Sequence, residues 1–319
     1  MTASIRLGLV GCGRLAEHGY LPAMAIAHRS ELVAVTDPDE GRARSVGALA
    51  GASVRVERDL ESMLHTGGLD AVVLASPADV HVDDAASVVA AGLPVLVEKP
   101  PAPDAVGAAR LVRLGGTVRV GFNRRFDAGA AVVRAAVPAA GPVSIDAAIR
   151  YRRASWAPHT VRDDVLSDLA PHLVDWVRWL AGQEVVGVQA VEVSPDRAHV
   201  RLTTTRGSAT ITAAADRFHA ESITVRGIGG AIVARHRAGG PVAAVAGHLP
   251  WRTGPHPLAA SLAAQLDAFT DVVSGRSNDL LATATDGLRV MTVVDAARSS
   301  AAADGRRIDV RPIEEPISC

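Results

Sequence analysis

The feature of this sequence that most constrains its fold is a glycine-rich turn close to the start of the chain. An apolar run predicts a strand over residues 5–10, and it leads directly into Gly11-Cys-Gly13-Arg-Leu-Ala16, a G-x-G-x-x-A pattern. The first glycine permits a tight turn, the second lets a pyrophosphate approach the backbone, and the alanine is small enough for close helix packing. Because the amides that open the next helix would hold the phosphates, the pattern predicts a dinucleotide site.

An acidic residue follows the next predicted strand. That strand covers residues 31–36 and ends at Asp37, which lies 24 residues after the second glycine of the turn. An acid at about this distance binds the adenosine ribose hydroxyls in dinucleotide-binding folds, although Asp37 could also simply form a turn before Pro38. We expect NAD to be preferred over NADP, because the carboxylate would repel a 2′-phosphate, whereas Arg42 or Arg44 could accept one.

Strands and helices alternate through the first 121 residues. Apolar runs predict buried strands at 71–75, 95–97 and 117–121, with helical patterns between them. This alternation predicts a parallel, doubly wound sheet, whose ligands bind at the carboxyl ends of the strands. Ser76 and Lys99 follow such ends. His81 also follows one, although its spacing favours a surface position on a helix.

The pattern changes from about Phe122 onwards. Consecutive strands without long helices between them predict a mostly antiparallel sheet in a second, α+β domain. We therefore expect two domains, a Rossmann domain over 1–121 and a second domain over 122–319. In the second domain we expect strands at 143–151, 185–193, 198–205, 209–214 and 222–226, helices at 166–180, 258–274 and 279–303, and a long loop at 237–257.

One predicted helix of the second domain carries ionisable residues at helical spacing. Asp168, His172, Asp175 and Trp179 form one stripe, separate from an apolar stripe that begins at Leu166. Pro171 lacks an N–H and should lie in the first turn, which puts Asp168 near the positive end of the helix dipole. Asp168 and His172 are four residues apart, so the acid can orient the imidazole. The alternative is a solvated helix face.

Composition excludes several classes of function. The net charge is −1, no basic tract is present and aromatic residues make up 3%, which disfavours nucleic-acid binding. No apolar run is long enough for a membrane span, and no signal-peptide layout is visible. The two cysteines, Cys12 and Cys319, suit a reducing compartment, so we expect a cytoplasmic protein. The eleven histidines show no clustered spacing, so we expect no metal site.

Four segments together resemble one family. They are the glycine turn, the segment from Ser76-Pro77 to His81, the Glu98-Lys99-Pro100 sequence and the segment Gly121-Phe-Asn-Arg-Arg125. With these, nearly the whole chain resembles the glucose–fructose oxidoreductase, inositol dehydrogenase and rhizopine-catabolism (Gfo/Idh/MocA) family. The resemblance implies an oxidoreductase that moves a hydride between NAD(P) and a secondary alcohol or ketone carbon of a sugar, sugar nucleotide or cyclitol. It also implies assembly into a homodimer or homotetramer.

The resemblance further implies roles for individual residues. In the family the lysine that matches Lys99 reaches both the nicotinamide ribose and the substrate, and the Lys-Pro bond is often cis. Asp168 and His172 match the family's second-domain motif, so we expect Lys99 and His172 to handle the proton, either being the immediate acid or base, while Asp168 orients His172. We expect cofactor contacts from Gly11, Gly13, Arg14, Leu15, Ala16, Asp37, Ser76, Pro77, His81, Glu98, Lys99 and Asn123, and substrate contacts from Lys99, Arg124, Arg125, Asp168 and His172.

Two alternatives stay open at the level of sequence. Arg124 and Arg125 could instead be surface arginines at a domain junction. The protein could also be a non-catalytic, dinucleotide-sensing regulator with the same fold. In addition, the family often carries a glycine pair or triplet before the second-domain motif, where this chain has Arg162-Asp163-Asp164. Side chains at these positions would narrow or charge the substrate pocket, so the individual substrate does not follow from the family resemblance alone.

Overall fold

The computed structural model describes residues 4–138, 141–152, 164–216, 218–239, 256–311 and 313. The chain divides into two units that are each discontinuous in sequence: Met1–Phe126 with Pro255–Leu288, and Asp127–Gly254 with Arg289–Cys319. The first segment thus ends a few residues after the boundary that we expected at 121/122. The sequence did not indicate that residues 255–288 return to the first unit.

Strands and α-helices are numbered here in chain order over the described residues. The strands are β1 (Ile5–Val10), β2 (Ser30–Thr36), β3 (Arg55–Val56), β4 (Ala71–Leu74), β5 (Val95–Glu98), β6 (Val118–Gly121), β7 (Ser144–Tyr151), β8 (Val185–Ser194), β9 (Arg197–Thr204), β10 (Gly207–Ala215), β11 (Ala220–Arg226), β12 (Ile232–Gly239), β13 (Ala282–Thr283) and β14 (Ile308–Asp309). The helices are α1 (Leu21–Met24), α2 (Glu40–Ala50), α3 (Leu60–Thr66), α4 (His81–Ala90), α5 (Ala105–Arg113), α6 (Ala128–Ala136), α7 (Val165–Asp168), α8 (Ala170–Ala181), α9 (Pro257–Val273) and α10 (Ala284–Ala302). Within the described residues, no helix is both long and apolar enough to cross a membrane.

The first unit contains the predicted parallel sheet. Its strand order is β13-β6-β5-β4-β1-β2-β3, and all neighbouring pairs are parallel except β13 with β6. The chain runs outward from β1 to β3, then crosses back and runs outward again from β4 to β6. A ligand crevice forms where the order reverses, at the carboxyl ends of β1 and β4. The doubly wound α/β prediction is therefore confirmed.

The second unit contains a second seven-stranded sheet. Its order is β12-β11-β7-β10-β9-β8-β14, and every pair is antiparallel except β7 with β10. The mostly antiparallel prediction is confirmed. We expected a loop at 237–257, and its start was wrong, because residues up to Gly239 belong to β12. The part of this loop at 240–255 lies outside the described residues. The edge strand β12 was missed because Arg235 and Arg237 on its exposed face hide the apolar alternation that marks a strand.

The predicted helix over 166–180 is two helices. α7 ends at Asp168, α8 begins at Ala170, and Leu169 lies between them. Pro171 explains the break, because it cannot donate to the carbonyl of Ser167 and its ring would clash with that carbonyl. Pro171 does lie in the first turn of α8, as predicted. Asp168, however, closes α7 and precedes α8.

Candidate active site

The glycine turn is shaped by close contact with the end of β4. Gly11 has a φ of +94°, and a Cβ built on it would lie 2.6 Å from the backbone N of Ser76. Only glycine avoids both the strained dihedral and this clash. Gly13 differs, because a Cβ there would meet nothing within 4 Å, so the backbone faces open space. Ala16 is buried. The turn thus has the open backbone that a pyrophosphate requires.

Asp37 lies beside this turn. One carboxylate oxygen accepts a hydrogen bond from the backbone N–H of Cys12 at 2.8 Å, and the other accepts one from the N–H of Asp39 at 2.8 Å. These bonds leave further lone pairs on both oxygens, so Asp37 can shape the turn and still accept from ribose hydroxyls. The binding role and the turn role are therefore compatible.

The two arginines that could favour a 2′-phosphate are already paired with acids. Arg42 Nε lies 3.3 Å from Asp39 Oδ2, and an Arg44 guanidinium nitrogen lies 2.7 Å from Glu40 Oε1. All four side chains lie at the start of α2 and are well exposed, so each pair is weak. Even so, both guanidinium groups are directed to carboxylates of their own helix.

Cys12 contributes a buried thiol to the turn. Burial, with the nearby Asp37 carboxylate, raises the pKa of Cys12 to about 12. Because the thiolate is the reactive form, we expect Cys12 to resist iodoacetamide near pH 8 in the folded protein and to react after denaturation. Peptide mapping of the labelled chain would measure this. Rapid labelling of Cys12 in the native protein would contradict the burial of its thiol.

Glu98, at the end of β5, is held by two hydrogen bonds. The Tyr20 hydroxyl donates to Oε1 at 2.6 Å, and the backbone N–H of Lys99 donates to Oε2 at 3.0 Å. Burial raises the pKa of Glu98, whereas Tyr20 and Lys99 act in the opposite direction. The next strand leaves room for this carboxyl only because it has glycine at 121, where a Cβ would lie 2.9 Å from Oε1.

Lys99 is the only lysine in the sequence, and every other member of the 33 Lys and Arg residues is arginine. The sequence interpretation missed this signal. A chain that uses arginine everywhere else still has lysine at the cofactor edge of the Rossmann sheet. Lysine differs from arginine in being able to exchange its proton, which indicates a chemical requirement at this position. Lys99 is partly exposed, and the Lys99-Pro100 peptide bond is cis, as the resemblance implied.

His81 is buried, so the surface position that its spacing favoured is wrong. Its Nε2 lies 2.8 Å from the carbonyl oxygen of Ser76, and its Nδ1 lies 3.1 Å from that of Pro100. Burial lowers the pKa of His81. The ring therefore links the segment after β4 to the residue that follows Lys99. A direct polar contact from His81 to a cofactor stays a prediction, which these backbone contacts disfavour.

The other residues expected to contact the cofactor follow β1 and β4, and all of them are at least partly exposed. Ser76 is partly buried, and its hydroxyl lies 3.5 Å from Asp84 Oδ2. Pro77 is exposed, whereas Arg14 and Leu15 of the glycine turn are partly exposed. Their cofactor contacts stay predictions.

The segment after β6 combines buried and accessible side chains. Asn123 is buried, and its amide donates to the Ser261 hydroxyl at 3.1 Å. Arg125 is also buried and lies 3.5 Å from an Asp286 carboxylate oxygen. These contacts favour a supporting role for Arg125 over contact with substrate, and they contradict the alternative of two surface arginines. Arg124 is partly exposed, and its charge lowers the pKa of Glu98.

In the second unit, α8 is buried along its whole length. His172 is 3% exposed, Asp175 1% and Trp179 7%, so the alternative of a solvated helix face is wrong. The Arg134 guanidinium packs 4.6 Å from the centroid of the Trp179 ring. Asp168 is partly exposed. Burial of an imidazole and a carboxyl on one helix is costly in an apolar core, which favours a functional role for these residues.

Comparison with known proteins supports the class of protein that the first unit defines. The parallel sheet, the open glycine turn and Asp37 describe a dinucleotide-binding Rossmann domain. Residues 5–118 match the GFO_IDH_MocA family model, an oxidoreductase family with an NAD-binding Rossmann fold. The N-terminal region therefore matches the NAD-binding Rossmann domain of this oxidoreductase family, in agreement with the resemblance that its motifs indicated.

Several curated relatives are inositol 2-dehydrogenases. Inositol 2-dehydrogenase 1 of Saccharopolyspora erythraea is 36% identical over 213 residues, 62% of this chain and 61% of the relative. The inositol 2-dehydrogenase of Acidothermus cellulolyticus is 34% identical over 194 residues, 59% of this chain and 57% of the relative. The chain thus matches only about three-fifths of the length of these relatives.

The likeness of fold extends over nearly the whole chain. Myo-inositol dehydrogenase from Lactobacillus casei, solved in complex with NAD(H) and myo-inositol, superposes with a TM-score of 0.79 at 19% identity. The superposition covers 98% of this chain and 99% of that chain. At this identity the likeness shows a shared fold and no more.

Proposed function

We propose that the protein is an NAD-dependent oxidoreductase that interconverts a secondary alcohol and a ketone on a cyclitol or sugar-like substrate. The observation that carries the proposal is the single lysine of the chain, which follows β5 at the carboxyl edge of an NAD-binding Rossmann sheet. The inositol 2-dehydrogenase names of the curated relatives support a polyol substrate.

The proposed chemistry assigns the hydride to the cofactor and the proton to the protein. NAD, when bound, accepts a hydride from the carbon that carries the hydroxyl. Gly11, Gly13 and Asp37 hold the dinucleotide in this proposal. Lys99 and His172 handle the hydroxyl proton, one as the immediate base and the other as its partner. Asp168 orients His172.

The test is a spectrophotometric assay of reduced nicotinamide with myo-inositol, scyllo-inositol and a panel of other polyols and ketoses. Turnover of at least one secondary alcohol with NAD supports the proposal. Tight binding of NAD without turnover of any compound would contradict it and favour a dinucleotide sensor. A calorimetric titration of NAD accompanies the assay, so that an inactive preparation is distinguished from an inactive enzyme.

We expect NAD to bind more tightly than NADP by at least about tenfold, which corresponds to about 1.4 kcal/mol. The reason is the Asp37 carboxylate beside the glycine turn, together with the pairing of Arg42 and Arg44 to acids of their own helix. Calorimetric titration of both dinucleotides measures the ratio. The Asp37→Asn variant removes the charge but keeps a hydrogen-bond acceptor, and it should bring the affinities for NAD and NADP closer together. Tighter binding of NADP to the wild-type protein would contradict the assignment.

We further propose a cytoplasmic homodimer or homotetramer. Val191 of β8 is 47% exposed in the single chain, and a partner that covers the outer face of the second sheet would bury it. Light scattering at micromolar concentration should give a mass of two or four chains. A monomer under these conditions would reject this assembly.

A further inference from the structure

Tyr20 and Glu98 form a buried polar pair next to Lys99, the only lysine of the sequence. Tyr20 is fully buried and Glu98 is 5% exposed, although carboxyl and phenol groups are costly to bury. Their 2.6 Å hydrogen bond joins residues that are 78 positions apart. The second carboxylate oxygen accepts from the backbone N–H of Lys99 at 3.0 Å. An apolar side chain at position 98 would avoid the cost of burial, so the pair calls for a functional explanation.

Tyr20 also connects this pair to the cofactor turn. It is the last residue of a π-helical segment, Ala16–Tyr20, which follows the glycine turn without interruption. The N–H of Glu17 donates to the carbonyl of Gly13 at 3.2 Å, so the segment is bonded to the turn itself. Single wide turns of this kind occur frequently at functional sites. The glycine turn is thus connected to Lys99 through the helical segment that ends at Tyr20 and through the hydrogen bonds of Glu98.

We infer that Tyr20 and Glu98 are positioning residues for Lys99. The Tyr20 hydroxyl fixes one oxygen of the Glu98 carboxylate, and the other oxygen fixes the backbone of Lys99, which sets the direction in which the lysine side chain leaves the strand. This inference rests on the proposed function for its catalytic consequence. In this arrangement Glu98 has a supporting role and does not bind the cofactor.

The charges around Glu98 agree with this role. Burial raises the pKa of the Glu98 carboxyl, and the groups that favour its ionised form are Tyr20, Lys99 and Arg124. Burial, with the Glu98 charge, raises the pKa of Tyr20 well above its usual value, so the phenol stays a donor. Loss of the phenol hydroxyl would leave the carboxylate with fewer donors. The Glu98 carboxylate would then be protonated more easily, and its hydrogen bond from the backbone N–H of Lys99 would weaken.

The experiment compares Tyr20→Phe and Glu98→Gln with the wild-type protein. Tyr151→Phe is the matched control, because Tyr151 is the other tyrosine of the chain and lies on β7 of the second unit. Each variant is checked for folding by thermal unfolding and by NAD titration. The first readout is the pH profile of kcat and of kcat/KM with NAD and the best polyol found in the assay.

The second readout does not depend on catalysis. Competitive acetylation with acetic anhydride reports the reactivity of Lys99, which is the only ε-amino group of the chain. Peptide mapping separates it from the α-amino group. Because a displaced lysine meets a different local charge, its acetylation rate and the pH dependence of that rate should change in both variants and stay unchanged in Tyr151→Phe.

We expect both variants to lower kcat by about tenfold to a hundredfold, the usual result of a small misplacement, while NAD affinity is retained. In Glu98→Gln the limb of the pH profile that reports the proton-handling group should move to lower pH, because a negative charge is removed. The double variant should lose no more than Glu98→Gln alone.

Each other outcome has a definite meaning. Unchanged acetylation and unchanged kcat in Tyr20→Phe would overturn the inference. If Tyr20→Phe fails to fold, Glu98→Gln decides by the same two criteria. If the wild-type protein turns over no polyol but acetylation still changes in the variants, the positioning pair stands and the proposed function fails.

Discussion

Replacing Lys99 by methionine is expected to lower kcat by about a hundredfold to ten-thousandfold, the usual contribution of a positioned acid or base. Methionine keeps nearly the length of the lysine side chain but lacks the amine that we propose exchanges a proton with the substrate oxygen. NAD affinity should stay nearly intact, because in our proposal the glycine turn and Asp37, and not Lys99, hold the phosphates and the adenosine ribose. Steady-state kinetics and calorimetric titration of NAD measure the two effects separately.

Lys99→Arg is the matched control for this change. Arginine keeps the positive charge but does not release its proton at any working pH. A low kcat in Lys99→Arg would show that proton exchange matters more than charge. Near-wild-type turnover in Lys99→Met would exclude Lys99 from the chemistry, and restoration of activity by arginine would limit its role to charge.

His172→Ala should lower turnover by a similar factor, about a hundredfold or more, again with little effect on NAD affinity. The imidazole is buried on α8. Alanine there removes the group that we propose handles the proton, and it leaves a small cavity. Thermal unfolding must therefore accompany the kinetics, so that lost stability is distinguished from lost chemistry. Turnover close to that of the wild-type protein on the true substrate would show that His172 has no catalytic role.

The relation between the two residues is tested by the double variant. Residues that act as one unit are not additive, so Lys99→Met with His172→Ala should lose less than the product of the two single effects. Asp168→Asn should cause a smaller loss and a changed pH profile, because the asparagine still occupies the position without the charge that orients the imidazole. Strict additivity of Lys99 and His172 would show that they act independently.

The sequence alone determined the class of both sheets and the location of the cofactor turn. These depend on local patterns: apolar runs separated by helical segments for the first sheet, and consecutive alternating strands for the second. The role of Gly11 was likewise predictable, because the need for positive φ and close backbone approach follows from a short motif. That Lys99 is the single lysine also follows from the sequence alone, because it depends on composition and not on tertiary contacts.

Only the tertiary structure decided which polar groups are buried and which are paired. His81 was expected at a helix surface, and it is buried because the chain after β5 brings the carbonyl of Pro100 to its ring. The Tyr20–Glu98 bond and the return of 255–288 to the first unit join residues far apart in the chain. Helical or strand periodicity reports which face of an element is apolar, but not which distant segment covers that face. For that reason the sequence located Lys99 at the cofactor edge, while the groups that hold it in place were visible only in three dimensions.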